Sequence, residues 1–408
     1  MTKVLWFSNT PANADEYFNN EIKQTGGWLK SLDLLMQDHI DLHIAFKTHL
    51  SINPFEYKKT TYYPITIKKS LSKKILNFFN LQKYNYLDQY QKLIMEINPD
   101  VIHIHGTESD FGLIYKYTDK PIVVSIQGNL TVYTHKFFSG LSKNKINTYF
   151  IRKNFPFIDN FMFTFRNMKN ESKIESEILK NSKYIIGRTD WDKNITKVLS
   201  PQNTYFHNDE VLRDGFYKNV WDLDWDKNQK IIIHTTTGDS PYKGFETILQ
   251  AANLLLKLNI DFEWRLAGLN EKSLITKVVK CNVGNYIKLL GNLNENELIQ
   301  NLKSSHIYVM PSHIENSPNS LCEAMILGVP CISTHVGGTG SILKNKKEGV
   351  LIQDGDPWML AGTILEFVQH FEQAKEYGKQ ARKTALIRHN KEKISNDLKL
   401  IYNKIVNE

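Results

Sequence analysis

The sequence predicts an α/β protein of two Rossmann-like parallel-sheet domains facing across a cleft, and three observations carry that reading. The chain has 408 residues, too many for one ordinary hydrophobic core and suited to two domains. Short apolar runs alternate with helix-periodic segments in both halves, the pattern of sheets built from strand, helix, strand units. The composition, 41% hydrophobic and 23% charged, is that of a globular chain rather than a disordered one.

In the first half, residues 4–8 (VLWFS) read as a strand, followed by a polar loop and then Gly26-Gly27-Trp28. These glycines open a helix through Leu29, Leu32 and Leu35. Strand, loop, paired glycines and helix make the geometry in which backbone N–H groups approach a phosphate, because glycine has no side chain to hold the ligand away. Residues 41–46 form a second strand, and residues 87–97 a helix ended by Asn98-Pro99. The strand at 101–105 ends in HIHG. Two histidines on one strand face suggest a metal, but zinc needs three or four ligands and no third is near in sequence. His105, at a strand's carboxyl end where such sheets bind ligands, is instead a candidate polar contact. Strands at 121–126 and 183–187 lead into Gln127 and Arg188, with Asp190 fitting a helix N-cap.

A segment rich in Asp, Asn and Trp, about 206–229, reads as a linker. The alternation then restarts, with strands at 230–235, 262–267, 286–290, 307–310 and 330–334. The most informative stretch is 311–324, PSHIENSPNSLCEA, which places Glu315 and Glu323 eight residues apart. The strand at 307–310 feeds a turn, and residues 320–327 a helix, so one carboxylate sits on the loop and the other one turn into the helix. Asn319, Ser320 and Leu321 are expected to offer unpaired backbone N–H groups at the positive end of the helix dipole. A phosphate held there has a carboxylate on either side. Carboxylates accept hydrogen bonds from hydroxyls, so the expected ligand is an anionic centre flanked by polyols, the shape of a nucleotide sugar.

The E-x7-E spacing, with PSH before it and EAMILGVPCISTHVGG after it, resembles the signature of the GT-B glycosyltransferases, in particular the retaining family 4 (glycosyl transferases group 1). The resemblance is strongest over residues 231–360. It implies that Glu315 contacts the donor hexose, Glu323 the ribose and Lys243, in TTTGDSPYKGF, the β-phosphate, with Gly238 of that loop and the Gly26-Gly27 pair beside the donor. Lys243 and Glu315 are then the catalytic candidates, since a fixed cation acts on charge that builds on the leaving diphosphate. It further implies front-face transfer with retention, no metal and no cofactor. The implied organisation is an acceptor-side domain at 1–205, the linker at 206–229 and a donor domain at 230–384, with terminal helices at 385–408 crossing back. Two positions depart from the family. Thr237 stands where an arginine is usual, leaving Arg188 or Arg213 to supply a second cation. Gln127 stands where many members carry a histidine, and an amide cannot carry a proton at neutral pH.

The formal charge of +8 is clustered. Residues 57–84 hold seven lysines and no acid, and residues 136–170 hold seven basic residues against Asp159 alone, among many phenylalanines. Leu71, Ile75, Phe78, Phe79 and Leu81 fall near one helical face with lysines around the rest, the pattern of an interfacial helix. These features point to an anionic membrane surface and a lipid-linked saccharide acceptor. Nucleic acid is disfavoured because no reader motif accompanies the charge. Three cysteines without metal spacing, no spanning run and no leader-like start point to a cytoplasmic protein at the inner membrane face. The expected activity is transfer of a hexose-type sugar, from a UDP-sugar by preference, in glycan assembly. A GT-B epimerase and a non-catalytic GT-B partner subunit are the alternatives.

Overall fold

The computed structural model describes residues 1–18, 27–67, 86–152, 161–226, 229–279 and 286–408. The chain divides into two compact units, one of residues 1–134, 166–211 and 389–408, the other of residues 135–165 and 212–388.

The first unit is built on an eight-stranded sheet: β1 (Lys3–Ser8), β2 (Asp41–Thr48), β3 (Phe55–Tyr57), β4 (Thr60–Thr66), β5 (Val101–His105), β6 (Ile122–Ser125), β7 (Tyr184–Gly187) and β8 (Thr204–His207). The order is β3-β4-β2-β1-β5-β6-β7-β8, and every pairing is parallel except β3 with β4. Both faces are covered, which is why the strands read as apolar runs rather than alternating ones. Val4, Trp6, Leu42 and Ile44 pack with helix Gly27–Met36 on one side; Leu5, Phe7, Ile102 and Ile104 pack with helix Leu87–Ile97 on the other.

In this sheet three strands, β3, β4 and β8, escaped the sequence reading. β4 carries Pro64, which cannot donate to a ladder. It is tolerated because β3 pairs only with Thr60–Tyr62, so beyond that point β4 is an edge. β8 lies at the opposite edge and is only partly buried, so it lacks an apolar signature. The cap of helix Asp190–Leu199 is Thr189, whose hydroxyl accepts from the Asp192 N–H at 3.1 Å, and Asp190 is the first helical residue.

Helix Lys391–Asn407 belongs to the first unit, where Ile394, Leu398, Ile401 and Tyr402 join the core beside Trp6. Trp6 Nε1 donates to the Tyr402 hydroxyl at 2.9 Å, and that hydroxyl lies 2.6 Å from His103 Nδ1. The other ring nitrogen, Nε2, lies 2.6 Å from Ser125 Oγ. Burial pushes the His103 pKa down to about 3 and so keeps the ring neutral.

The second unit holds an all-parallel sheet of β9 (Ile231–Thr236), β10 (Phe262–Ala267), β11 (Ile287–Gly291), β12 (Ile307–Met310), β13 (Cys331–Thr334) and β14 (Val350–Ile352), in the order β11-β10-β9-β12-β13-β14. Trp264 Nε1 donates to Thr235 Oγ1 at 3.0 Å, and that hydroxyl donates to the Val309 carbonyl at 2.8 Å, a buried link across β10, β9 and β12. Helix Asn319–Leu327 is buried from Leu321 onward and packs against helix Phe371–Arg388.

Residues 135–165 group with this unit. Phe137 packs on Tyr242 and Phe165, with ring centroids 6.0 and 5.5 Å apart. Helices Lys143–Arg152 and Phe161–Lys180 occupy most of the described part of this basic, Phe-rich stretch. The interfacial helix expected near residues 68–83 lies outside the described residues. Among the described residues no helix is long and apolar enough to cross a membrane.

Tyr402→Phe removes the hydroxyl that both Trp6 and His103 use. It is expected to cost about 2 kcal/mol by orphaning two buried polar groups, read as a lower urea midpoint at unchanged slope; an unchanged midpoint would show that the hydroxyl does not hold the last helix.

Candidate functional site

In both sheets the chain reverses its direction of winding beside a central strand, at β1/β5 in the first unit and β9/β12 in the second. The loops leaving the carboxyl ends of such neighbouring strands diverge and leave a crevice. Those loops carry most of the predicted site residues.

In the second unit, β9 leads through Thr237 and Gly238 to a 3₁₀ turn, Pro241–Lys243, while β12 leads through residues 311–318 to helix Asn319–Leu327. The two loops are held against each other. Gly244 has φ +75°, and a Cβ there would overlap the Pro311 carbonyl oxygen. The His313 N–H donates to the Tyr242 carbonyl at 2.8 Å. Lys243 Nζ in consequence reaches Glu315 Oε1 at 2.6 Å, and Ser312 Oγ donates to the same oxygen at 2.8 Å. Burial works against charge on Lys243, but the Glu315 carboxylate outweighs it and holds the ammonium pKa above its ordinary value.

Glu323 is paired as well. Arg213 Nε donates to its Oε1 at 2.7 Å and Nη2 to its Oε2 at 2.8 Å, a bidentate fork that matches a guanidinium to an ionised carboxylate. Burial pushes the Glu323 carboxyl up, and Arg213 opposes it. The sequence anticipates neither pairing: it offers Arg213 as a second phosphate cation, and the structure shows it spent on Glu323.

Two carboxylates, one ammonium and one guanidinium sum to no net charge, so attraction for an anion rests on dipoles and open donors. Asn319 and Ser320 are the first helical residues, but the Leu321 N–H, expected to be open, already donates to the Pro318 carbonyl at 3.1 Å. Lys243 has two further N–H bonds beyond the one to Glu315. Thr237 Oγ1 and Asn319 Oδ1 are shut off from solvent without a hydrogen-bond partner, an arrangement costing about 1–3 kcal/mol each that a polar ligand would relieve. A side chain at Gly238 would meet open space.

Beside this arrangement lies a cluster that sequence reading missed. His313 Nε2 is 2.7 Å from Glu246 Oε1, and Nδ1 is 3.3 Å from Asp354 Oδ2. Burial lowers the imidazole pKa, but the two carboxylates prevail and raise it. The PSH string was the available signal, yet neither acid is near it in sequence.

In the first unit, His105, Gln127 and Arg188 line one cavity of about 30 Å³ together with Trp28, Asn208 and Glu210. Arg188 is buried, ion-paired with Glu210, and donates to the Ile126 carbonyl at 2.6 Å and to Gln127 Oε1 at 2.7 Å. Its charge is thus matched within its own unit. His105 is packed against Trp6 and His103, at centroid distances of 4.6 and 3.8 Å, and among the described residues neither ring nitrogen has a hydrogen-bond partner. Burial drives its pKa well down. Gly27 is the first residue of helix Gly27–Met36, and Gly26 lies outside the described residues. Among the described residues, no group of three or more His, Cys, Asp or Glu is placed to hold a metal ion.

Two family models match, one within each half of the chain: Glycosyl transferases group 1 over residues 218–384 and Glycosyl transferase 4-like over residues 12–165. An uncharacterized glycosyltransferase of Methanocaldococcus jannaschii is 28% identical over 174 residues, 42% of this chain and 47% of that protein. The amylovoran biosynthesis glycosyltransferase AmsK of Erwinia amylovora is 27% identical over 135 residues, 31% of this chain and 33% of that protein. The chain thus matches between a third and a half of the length of these curated relatives. In fold, the crystal structure of Anabaena HepE with UDP and glucose aligns with a TM-score of 0.67 at 11% identity, covering 99% of this chain and 100% of that one.

The His313 cluster sets a pH dependence of stability. A pKa raised on folding gives stability that is full below the unfolded value of about 6.5 and lost as pH rises through the folded value. Above that pH the wild type is expected to lose more melting temperature than His313→Gln, and parallel profiles would show that the imidazole carries no proton there.

Proposed function

We propose that this chain, a GT-B fold glycosyltransferase related to both matched families, transfers a hexose-type sugar from a nucleotide-diphosphate sugar, UDP-linked by preference, to a saccharide acceptor with retention of configuration. The observation that supports this most is the placing of two matched ion pairs, Lys243 with Glu315 and Arg213 with Glu323, in the loops and helix that surround the N-terminus of helix Asn319–Leu327.

Each group then has a task set by its open valences. The Asn319 and Ser320 N–H groups and the remaining Lys243 N–H bonds receive the diphosphate, whose charge grows as the glycosidic bond breaks. Glu315 Oε1 is taken by Lys243 and Ser312, so Oε2 is the oxygen left for a hexose hydroxyl. Glu323 keeps a second lone pair on each oxygen for the ribose hydroxyls, and Arg213 fixes the carboxylate that receives them. Lys243 and Glu315 act on the reacting end; Glu323, Gly238 and the helix start hold the rest of the donor. Glu315 and Glu323 serve different parts of one donor, unlike the paired acids of a glycoside hydrolase that flank a single bond.

A lipid-linked acceptor at an anionic membrane is the reading that suits the basic, aromatic residues 57–84 and 136–170. Assembly of a glycan fits the amylovoran biosynthesis that AmsK is named for. Flotation with phosphatidylglycerol vesicles, and none with phosphatidylcholine, is the expected behaviour; equal indifference to both would remove the membrane from the proposal.

A panel of nucleotide sugars scored by thermal stabilisation and by nucleotide release tests the donor site. Lys243→Ala is expected to lose about 100-fold in turnover, the scale for removing one transition-state donor. Glu323→Gln keeps the shape beside Arg213 and is expected to weaken nucleotide binding. Near-normal behaviour of both variants would overturn the donor assignment.

A further inference from the structure

Within the second unit, residues 135–141 form a short strap against the loops that carry Lys243 and Glu315. Phe137 is fully buried and packs its ring on Tyr242, the residue before Lys243. Lys136 Nζ lies 3.9 Å from Asp354 Oδ2, in the loop after β14. Gly140, at φ +77°, passes so close over Glu246 and His313 that a Cβ there would overlap Glu246 Oε1 and His313 Nε2. The strap has backbone bonds of its own, from the Ser139 N–H to the Lys136 carbonyl at 2.9 Å and from the Leu141 N–H to the Phe138 carbonyl at 3.1 Å.

We propose that His313 is a positioning residue: as an imidazolium between Glu246 and Asp354 it latches the strap at residues 135–141, and so keeps the Tyr242–Lys243 turn and its ammonium in place. The inference rests on the transferase reading above, in which Lys243 receives the diphosphate. His313 acts through the turn and not on the donor. Its backbone N–H donates to the Tyr242 carbonyl at 2.8 Å, and Phe137 of the strap covers the ring of that same residue.

The geometry makes the latch depend on a proton. His313 Nε2 is 2.7 Å from Glu246 Oε1, and Nδ1 is 3.3 Å from Asp354 Oδ2. With both carboxylates ionised each can only accept, so both ring nitrogens must donate, which only the imidazolium can do. Among the described residues the charges around the ring are Glu246 from helix Phe245–Lys257, Asp354 from the loop after β14 and Lys136 from the strap, while Lys243 on the adjoining turn is matched by Glu315. With the imidazolium present, two cations meet two carboxylates. Without its proton the ring turns a lone pair toward one of them, and Glu246, less than a tenth exposed, has little water to compensate it. Burial works to lower the imidazole pKa, but the two carboxylates prevail and raise it. The latch is therefore closed below the ordinary histidine value of about 6.5 and is released as pH rises through the raised one.

Amide hydrogen exchange of the whole chain, corrected for the intrinsic rate at each pH, reads the latch without reference to activity. The Ser139 and Leu141 amides are expected to lose protection between about pH 6 and pH 9. In His313→Gln, whose side chain carries no charge, they are expected to exchange fast at every pH. Gly140→Ala leaves the charged groups in place but crowds the strap off them, and is expected to do the same while helix Asn319–Leu327 stays protected. UDP release from UDP-glucose and UDP-N-acetylglucosamine, with octyl β-glucoside as acceptor, then reads the consequence. Wild-type kcat is expected to fall along the same pH course, whereas both variants lose up to about 100-fold in kcat, the scale for a misplaced group, with a flat pH profile and little change in donor KM. Wild-type strap protection that ignores pH would overturn the latch, and a released strap with unchanged kcat would overturn the positioning role. A wild type that releases UDP from neither donor while its strap still follows pH would sink the transferase reading and leave the latch alone standing.

Discussion

Burial of charge is the constraint around which the second unit's site is arranged. Glu315 and Glu323 are each less than a tenth exposed, and an ionised carboxylate at that depth is retained only where a cation and hydrogen bonds meet it. Lys243 and Arg213 meet them. The need to bring Lys243 to Glu315 in turn fixes the backbone: the loops after β9 and β12 must touch, and they do so at Gly244, where no side chain could stand against the Pro311 carbonyl. The switch point supplies the crevice, the glycine supplies the approach, and the ion pair holds the result in register.

That arrangement decides how an anion can be attracted. A site with a surplus cation would hold phosphate by charge, but here the side chains cancel. What remains is a helix N-terminus in a buried setting and the unused N–H bonds of an ammonium already fixed in place. Such donors need little reorganisation when charge develops, which is the condition under which preorganised dipoles act most strongly on a transition state.

Much of this was legible in the sequence because the signals are local. β5, β10 and β12 and helix Leu87–Ile97 fall where the apolar runs and the Asn98-Pro99 stop place them. Glu315 and Glu323 are picked out by their spacing within one loop-helix unit, and Lys243 by the resemblance of the loop after β9. What escaped is long-range. Nothing near Glu323 announces Arg213, 110 residues away, and nothing near His313 announces Glu246 or Asp354. Edge strands β3, β4, β8 and β14 escaped for a different reason: with one side open to solvent they have no need of the apolar run that marks a central strand. Leu321 shows the limit of reading a helix start by rule, since its N–H turns back on Pro318 instead of staying open.

The first unit shows the same economy of charge applied to protons. A histidine at position 127 would be a proton carrier; Gln127 is instead an acceptor for Arg188, which Glu210 already balances. His103 is locked as a neutral link between Tyr402 and Ser125, and His105 is held neutral by the aromatic rings and the cation around it. The imidazoles at this edge are thereby removed from proton chemistry near neutral pH. Removing them does not leave the edge inert, because the same burial that neutralises a histidine raises a carboxyl. Burial first, and the Glu175 charge with it, push the Glu108 carboxyl up to about 7. The neutral histidines and the raised Glu108 carboxyl are therefore consequences of one buried, crowded strand end.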